Sequence, residues 1–183
     1  DNCDNTVTTQ ATFTIEDTTP PTAIGQDYTL VLDATGNAVL NPESINNSSS
    51  DNCGSVTPTA SPLNFDCGDL GPQTVTLTIT DACNLTDTQD VTVTVVDQTD
   101  PTIVVAASDA TYECSSSDDF STELSQWLAN NGGATATDAC VDGLLTWSYS
   151  PNPADLVAAC GNTSSVTVTF TVTDPSNNSS DTQ

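Results

Sequence analysis

The sequence of 183 residues contains no Lys, Arg, His or Met, although it carries 25 Asp and Glu residues. No salt bridge can therefore form between its side chains, and its net charge is −25. Lys and Arg are the residues that meet phosphate groups, so the composition argues against nucleic acid and anionic membrane surfaces as partners. The sequence also lacks an apolar run long enough for direct insertion into a membrane.

The absence of His bears directly on catalysis. His is the commonest general base, and a Ser–His–Asp triad cannot be built without it. Paired carboxylates, which glycosidases use, occur by chance in any chain this acidic, and no cleft-forming pattern accompanies them. We therefore predict that the protein is not an enzyme.

The chain has seven Cys residues but no C-x-x-C pair, and without His the usual zinc-binding sets are reduced to all-Cys ones. This many Cys residues in a chain rich in Thr, Ser and Asn indicates an oxidising, extracellular location. The sequence shows neither an initiating Met nor a signal peptide, so we expect a processed or excised part of a longer protein.

Much of the sequence occurs twice. The segment VTLTITDACNLTDTQ at 75–89 is similar to VTFTVTDPSNNSSDTQ at 168–183, and DTTPPT at 17–22 is similar to DQTDPT at 97–102. The members of such pairs lie 80 to 93 residues apart. A period this long is typical of a chain of small domains, because solenoid repeats are shorter.

The repeats define the expected domains. We predict a first module at 20–99 (the first repeat), a second module at 100–183 that lacks its last strand (the second repeat), and at 1–19 the final strand and linker of a preceding module. Two explanations of residues 1–19 are open. The chain is cut from a longer tandem array, or this segment is a strand donated to the open sheet edge of a neighbouring copy.

Apolar residues alternate with Thr in both repeats. Val75, Leu77 and Ile79 point to one side of a predicted strand, and Thr residues point to the other. The other segments with this period of two are Ala11–Ile15, Tyr28–Leu32, Val91–Val95, Trp147–Tyr149 and Val168–Val172. Short strands separated by turns rich in Asp, Asn, Gly and Pro predict an all-β protein built from β-sandwiches.

One stretch has helical spacing instead. Apolar side chains between Phe120 and Leu128 recur at helical intervals, which predicts a short helix at about 118–130 in the second module. We expect this helix to pack Trp127 over the sandwich and to have a one-turn counterpart at 41–45.

These motifs together resemble a known group. EDTTPPT, QDYTLVLDATGNAVL, SSDNCGSVTPTASPLNFDCGDLG, WLANNGGATATDAC and VTLTITDAC are similar to segments of the HYR-like and immunoglobulin-like tandem repeats of giant surface proteins in Bacteroidetes, including gliding-motility adhesins. The resemblance covers nearly the whole chain. It implies immunoglobulin-like sandwiches in tandem and secretion to the cell surface, and it implies no catalytic activity.

The resemblance also implies disulfide bonds. In such repeats the Cys of a DNC or DAC turn usually pairs with the Cys of the following FDC or GC turn. The implied pairs are Cys53–Cys67, Cys140–Cys160 and, if residues 1–19 are donated, Cys3 with Cys114 of the neighbouring copy. Cys83 would then be free or would pair elsewhere.

Carboxylates flank the predicted joints between modules. Ca²⁺ binds six to eight oxygens, and carboxylates of linkers and turns can supply them while they stiffen the joint. The candidate ligands are Asp17, Asp27, Asp97, Asp100 and Asp109, and the turn residues that can face them include Asp51, Asp81, Asp138 and Asp174. The alternative is that turn Asp residues serve local hydrogen bonds and that ordinary counterions balance the surface charge.

The sequence leaves two main hypotheses for function, and a third possibility is a spacer carried by a secreted enzyme whose catalytic part lies outside this sequence. The first is a structural repeat of an extracellular surface filament or fibre, whose partners are neighbouring copies or repeats of the same protein. The second is a Ca²⁺-dependent cell-surface adhesin module that binds carbohydrate or another surface. In addition, Asp17-Thr18-Thr19 resembles the O-glycosylation pattern of Bacteroidetes, so Thr18 is the candidate attachment site for a glycan.

Overall fold

A computed structural model describes residues 6–112, 120–140, 144–151 and 165–183. Within these ranges the chain consists mainly of β-strands in several sheets, with one α-helix, α1 (Phe120–Ala129). The strands are β1 (Tyr28–Val31), β2 (Asn37–Val39), β3 (Thr57–Ser61), β4 (Asn64–Asp66), β5 (Gly71–Thr80), β6 (Thr86–Val96), β7 (Thr102–Val105), β8 (Thr135–Thr137), β9 (Thr146–Ser150), β10 (Thr169–Thr173) and β11 (Ser179–Thr182). Turns of 3₁₀-helix occupy Pro42–Ser44, Cys67–Asp69 and Asn131–Gly133. The prediction of an all-β protein is therefore confirmed.

The first repeat is organised around the long β5–β6 hairpin. Its strands pair from Thr80 opposite Thr86 to Gly71 opposite Val95. Strand β1 runs parallel to the end of β6, and β3 pairs with β5, which gives a four-stranded sheet in the order β1-β6-β5-β3. Strands β2 and β4 form a separate antiparallel pair. The second half of β6 thus lies between two partners.

The second repeat contains a shorter version of this hairpin. Thr173 of β10 pairs with Ser179 of β11, as Thr80 pairs with Thr86 in the first repeat. The two hairpin turns match as well, because Asn84 and Asn177 both adopt the left-handed conformation, with φ of 65° and 71°. Asn tolerates this region better than most residues. Strand β9 completes a sheet in the order β11-β10-β9, and β7 pairs with β8.

The alternation of Thr with apolar residues places the apolar side chains of β5 in the interior, as expected. Val75, Leu77 and Ile79 of β5 are fully buried, and they belong to a hydrophobic cluster of the first repeat. Strands of both its sheets contribute to this cluster, the smaller sheet through Phe65 of β4. Burial of such side chains is the main favourable term in folding.

A second hydrophobic cluster lies in the second repeat and includes α1. The rings of Trp127 and Phe170 meet edge to face with their centroids 5.2 Å apart, and the indole N–H of Trp127 donates to the carbonyl of Ser108 at 3.1 Å. The predicted helix, its packing through Trp127 and its one-turn counterpart at 42–44 are thus confirmed. Among the described residues, no helix is both long and apolar enough to cross a membrane.

The predicted strand at Ala11–Ile15 is not formed. Residues 6–21 contain no strand, and the side chains of Phe13 and Ile15 are 87% and 85% exposed. A strand needs an edge to pair with, and the position beside β5 and β1 that the repeat pattern assigns to such a segment is occupied by β6. The sequence assigns this strand to a preceding module or a neighbouring copy, so that assignment stays a prediction.

Candidate functional site

Three carboxylates meet where the first repeat joins the second. Asp97 follows β6, Asp138 follows β8 and Asp174 follows β10, and one side-chain oxygen from each lies within 4.8 Å of the other two. Asp97 and Asp174 are only 7% and 5% exposed. We call these three residues the joint cluster. It contains one linker carboxylate, the predicted candidate ligand Asp97, and two turn carboxylates, and metal binding by these residues stays a prediction.

Local hydrogen bonds fix each of these carboxylates. The backbone N–H of Thr99 donates to Asp97 at 3.0 Å, and that of Cys140 donates to Asp138 at 2.8 Å. Each bond closes a turn in which an Asp side chain accepts from the residue two positions later, which is a common role of Asp after a strand. The second oxygen of Asp138, Oδ2, is buried and has no hydrogen-bond partner among the described residues.

Asp174 is satisfied more completely than Asp138. Its Oδ1 accepts from the backbone N–H of Asn178 at 2.8 Å, and its Oδ2 accepts from the side-chain amide of the same residue at 2.8 Å. The amide of Asn178 also donates to the backbone carbonyl of Asp97 at 3.3 Å. Asn178 therefore connects the turn of the second repeat to the linker.

The three carboxylates of the joint cluster lie close enough to repel one another. Two charges separated by 4.8 Å repel by about 3 kcal/mol at an effective dielectric constant of about 20. The chain has no Lys, Arg or His that could offset this repulsion. The ligand set consists of carboxylates alone, which are hard oxygen donors that suit Ca²⁺ or Mg²⁺ rather than zinc.

A second cluster occupies the corresponding place ahead of the first repeat. It consists of Asp17, the counterpart of Asp97, with Asp51 and Cys53. The same local bonds recur, because Thr19 N–H donates to Asp17 at 3.0 Å and Cys53 N–H donates to Asp51 at 2.7 Å. Oδ1 of Asp51 is buried and lacks a partner among the described residues, as Oδ2 of Asp138 does.

The two clusters differ in their third member. Asp81 is the counterpart of Asp174 but lies outside the second cluster, where the thiol of Cys53 takes part instead. Asp81 is 8% exposed, and its Oδ2 has no partner in the described part of the chain, because Leu85 stands where the second repeat has Asn178. The carboxylate of Asp17, followed by burial, raises the pKa of the Cys53 thiol.

The other predicted ligands do not enter either cluster. Asp27 accepts from the backbone N–H of Thr92 at 2.8 Å, and Asp100 accepts from that of Ser179 at 3.3 Å. Asp109 is exposed on the segment that follows β7. Thr18, the predicted glycan site, is also exposed. Asp100 nevertheless ties the linker to β11.

The disulfide pairing differs from the one that the resemblance implied. Cys67 is bonded to Cys140, so the expected bonds Cys53–Cys67 and Cys140–Cys160 are both wrong. Cys53 and Cys83 are free and exposed. Cys160 lies outside the described residues, and so do both members of the expected pair Cys3–Cys114.

The position of Cys67 explains why it is bonded to Cys140 and not to Cys53. It begins the 3₁₀ turn after β4, and Cys140 lies in the turn after β8, so the bond joins two turns of different repeats. Gly36 allows this approach, since a Cβ at that position would lie 2.5 Å from the sulfur of Cys67. Cys spacing cannot reveal such a bond, because it depends on how the repeats pack.

A search of family models finds none that matches the chain, and a search of curated proteins finds no significant match.

The environment of Cys53 makes its reactivity depend on Asp17. The Asp17→Asn substitution removes the largest cause of the raised thiol pKa, so the pH midpoint for alkylation of Cys53 by iodoacetamide should fall. Mass spectrometry of the alkylated peptides across a pH series measures this midpoint. The neighbouring Glu16→Gln substitution removes the same charge and should leave the midpoint nearly unchanged. Equal midpoints in Asp17→Asn and the unsubstituted protein would contradict the assignment.

Proposed function

We propose that the protein is a structural repeat of an extracellular surface filament or fibre. In this proposal residues 20–99 and 100–183 are two immunoglobulin-like sandwich modules in tandem, and their joint is stiff rather than flexible. The observation that carries it is the Cys67–Cys140 bond, which connects a turn of one repeat to a turn of the other. A covalent bond across a joint, added to the continuous chain, restricts bending as a load-bearing segment requires.

Two further contacts support a stiff joint. The linker carbonyl of Asp97 accepts from Asn178, and the carboxylate of Asp100 accepts from the backbone of Ser179. Both hydrogen bonds connect the linker to the β10–β11 hairpin. Inter-domain interfaces that consist of a few polar contacts usually allow motion, so the disulfide is the element that distinguishes this joint.

A divalent cation at the joint cluster is part of the proposal. Asp97, Asp138 and Asp174 would hold it, and Ca²⁺ is the cation whose ligand number and flexible geometry suit an all-oxygen site built from turns. Its chemistry would be structural, because it would offset the repulsion of three carboxylates that no side chain of this sequence can neutralise. The unpartnered Oδ2 of Asp138 supports this role, since an unpaired buried oxygen is costly.

The oxidising, extracellular location is proposed on the same basis. A disulfide that stabilises a joint persists only where thiols are not kept reduced. The high negative charge also keeps neighbouring fibres apart in solution through mutual repulsion. The partners in this proposal are neighbouring repeats or copies of the same protein.

Removal of the disulfide tests the stiff joint. The double substitution Cys67→Ser and Cys140→Ser opens a loop of 73 residues and should lower the free energy of unfolding by about 4 kcal/mol in the chain-entropy treatment. Small-angle X-ray scattering should show a broader distribution of distances within the particle. The Cys53→Ser substitution, at a free and exposed Cys, should change neither measurement. A scattering profile unaltered by loss of the bond would refute the stiffening role.

Calcium titration tests the joint cluster. Ca²⁺ at about 100 times its dissociation constant should raise the free energy of unfolding by about 2.7 kcal/mol, and chelator should reverse the gain. The Asp138→Asn substitution should abolish the gain and, in chelator, should match or exceed the parent in stability because one repulsive charge is gone.

Asp181→Asn is the matched control for the titration. Asp181 lies exposed on β11 outside both clusters, so its loss should leave the response to Ca²⁺ intact. A melting temperature of the parent that ignores both Ca²⁺ and chelator would exclude the cation from the proposal.

A further inference from the structure

We propose that Cys53 and Cys83 are a thiol pair that oxidises to a disulfide bond within the first repeat. The bond would connect the turn before β3 to the turn between β5 and β6. The proposal goes beyond the filament role and shares with it only the oxidising location, in which such a bond persists. The structure shows the reduced pair, since both thiols are free, and controls that substitute Cys53 apply to this reduced form.

The register of the sheet brings the two turns to the same end of the first repeat. Strand β3 begins at Thr57, which pairs with Thr80 at the end of β5. Cys53 lies four residues before Thr57, and Cys83 lies three residues after Thr80. Residues opposite each other on antiparallel strands have Cα atoms about 4.5 to 5.5 Å apart, and a disulfide needs about 4.4 to 6.8 Å. The two chain segments thus leave the sheet side by side, and each reaches its cysteine after a similar number of residues.

An Asp residue fixes each cysteine in its turn. The backbone N–H of Cys53 donates to Asp51 at 2.7 Å, and that of Cys83 donates to Asp81 at 2.8 Å. The hairpin turn is fixed further by the N–H of Leu85, which also donates to Asp81 at 2.8 Å. Both cysteines are therefore held at defined places, which reduces the conformational freedom that formation of the bond would remove.

The second repeat shows that turns at these two positions approach each other closely. Asp138 and Asp174 are the counterparts of Asp51 and Asp81. A side-chain oxygen of Asp138 lies within 4.8 Å of one of Asp174. Each cysteine of the first repeat follows its Asp by two residues, so the two thiols belong to turns of the same pair.

The residues at the two cysteine positions differ between the repeats in a consistent way. Cys140 is the counterpart of Cys53, and Ser176 is the counterpart of Cys83. In the second repeat Cys140 is already bonded to Cys67. The hairpin turn therefore carries a thiol in the repeat whose other thiol is free, and a hydroxyl in the repeat whose other cysteine has a partner.

Cys83 is close enough to Cys53 to affect its ionisation. The carboxylate of Asp17 is the main reason that the pKa of the Cys53 thiol is raised, and Cys83 is among the further causes. Interactions between charges weaken with distance, so this effect places the two sulfur atoms near each other. It supports the proximity that the register of β3 and β5 predicts.

The turn of Cys53 has room to move toward Cys83. Gly54 has a φ of 156°, which L side chains rarely adopt, and a Cβ at this position would meet no atom within 4 Å. Both cysteines are exposed, so an oxidant from solution reaches them. The bond can therefore form by a local adjustment of an exposed turn, without displacement of the core.

The oxidant is a low-molecular-weight disulfide, of which oxidised glutathione is the probe used here. One protein thiolate attacks its S–S bond, which forms a mixed disulfide and releases one glutathione thiolate. The second protein thiolate then attacks the protein sulfur of the mixed disulfide and releases the second glutathione. Two protein thiols are thus oxidised to one S–S bond, oxidised glutathione is reduced to two thiols, and two protons pass from the protein to the released glutathione.

Peptide mapping of the full chain after treatment with oxidised glutathione tests the bond. Free thiols are alkylated, and the chain is cleaved before Asp residues, which places Cys53 in peptide 51–65 and Cys83 in peptide 81–86. We expect these two peptides as one linked species that separates on reduction and forms at a rate independent of protein concentration. Cys83→Ser, which copies Ser176 of the second repeat, should instead leave a glutathione adduct on peptide 51–65.

Denaturant unfolding of the same chain, with the pair reduced and with it oxidised, provides the second measurement. Closure of a loop of about 30 residues should lower the unfolding equilibrium constant by about 400-fold in the chain-entropy treatment. The comparison needs no substitution, so it does not depend on whether a variant folds. Cys53→Ser, treated with the oxidant in the same way, should show no such gain.

Two results would overturn the proposal. One is a bond from Cys53 or Cys83 to any other cysteine, in the same chain or in a second copy. The other is that both thiols stay free in oxidised glutathione while the Cys67–Cys140 bond remains intact. The proposed function fails by a different measurement, namely loss of the Cys67–Cys140 bond without any effect on the scattering profile, so the two failures are distinguishable.

Discussion

The whole chain has to fold without a single side-chain cation, and this constraint determines how its 25 carboxylates are used. Each carboxylate needs hydrogen-bond donors or an external counterion, because no ion pair is possible between side chains. The described turns meet this need with backbone amides. Asp33 is the clearest case, since the hydroxyl and N–H of Thr35 and the N–H of Asn37 all donate to it and lower its pKa. Hydrogen bonds to the charged form of an acid favour that form.

Turns closed by Asp also meet where the first repeat joins the second. An Asp directly after a strand closes its own turn, and Asp97, Asp138 and Asp174 do so at one joint. One side-chain oxygen of each residue lies within 4.8 Å of the other two, and the chain has no side-chain cation that could offset their repulsion. The hydrogen bonds that satisfy each Asp separately thus leave three negative charges close together at the joint.

The sequence predicted the local structure well and the long-range structure poorly. The period of two in β5, β6 and β10 and the helix around Trp127 depend on short-range patterns. The meeting of Asp97 with Asp138 and Asp174 depends instead on long-range packing. The Cys67–Cys140 bond could not be predicted, because it depends on the packing of one repeat against the other. Ala11–Ile15 has the pattern of a strand, but a strand exists only beside a partner, and a single sequence does not state which chain provides it.

Phe13 and Ile15 show where the pattern and the isolated chain disagree. Their alternation with Thr has the same form as that of Val93 and Val95, so the difference between full exposure and full burial lies in the environment and not in the residues.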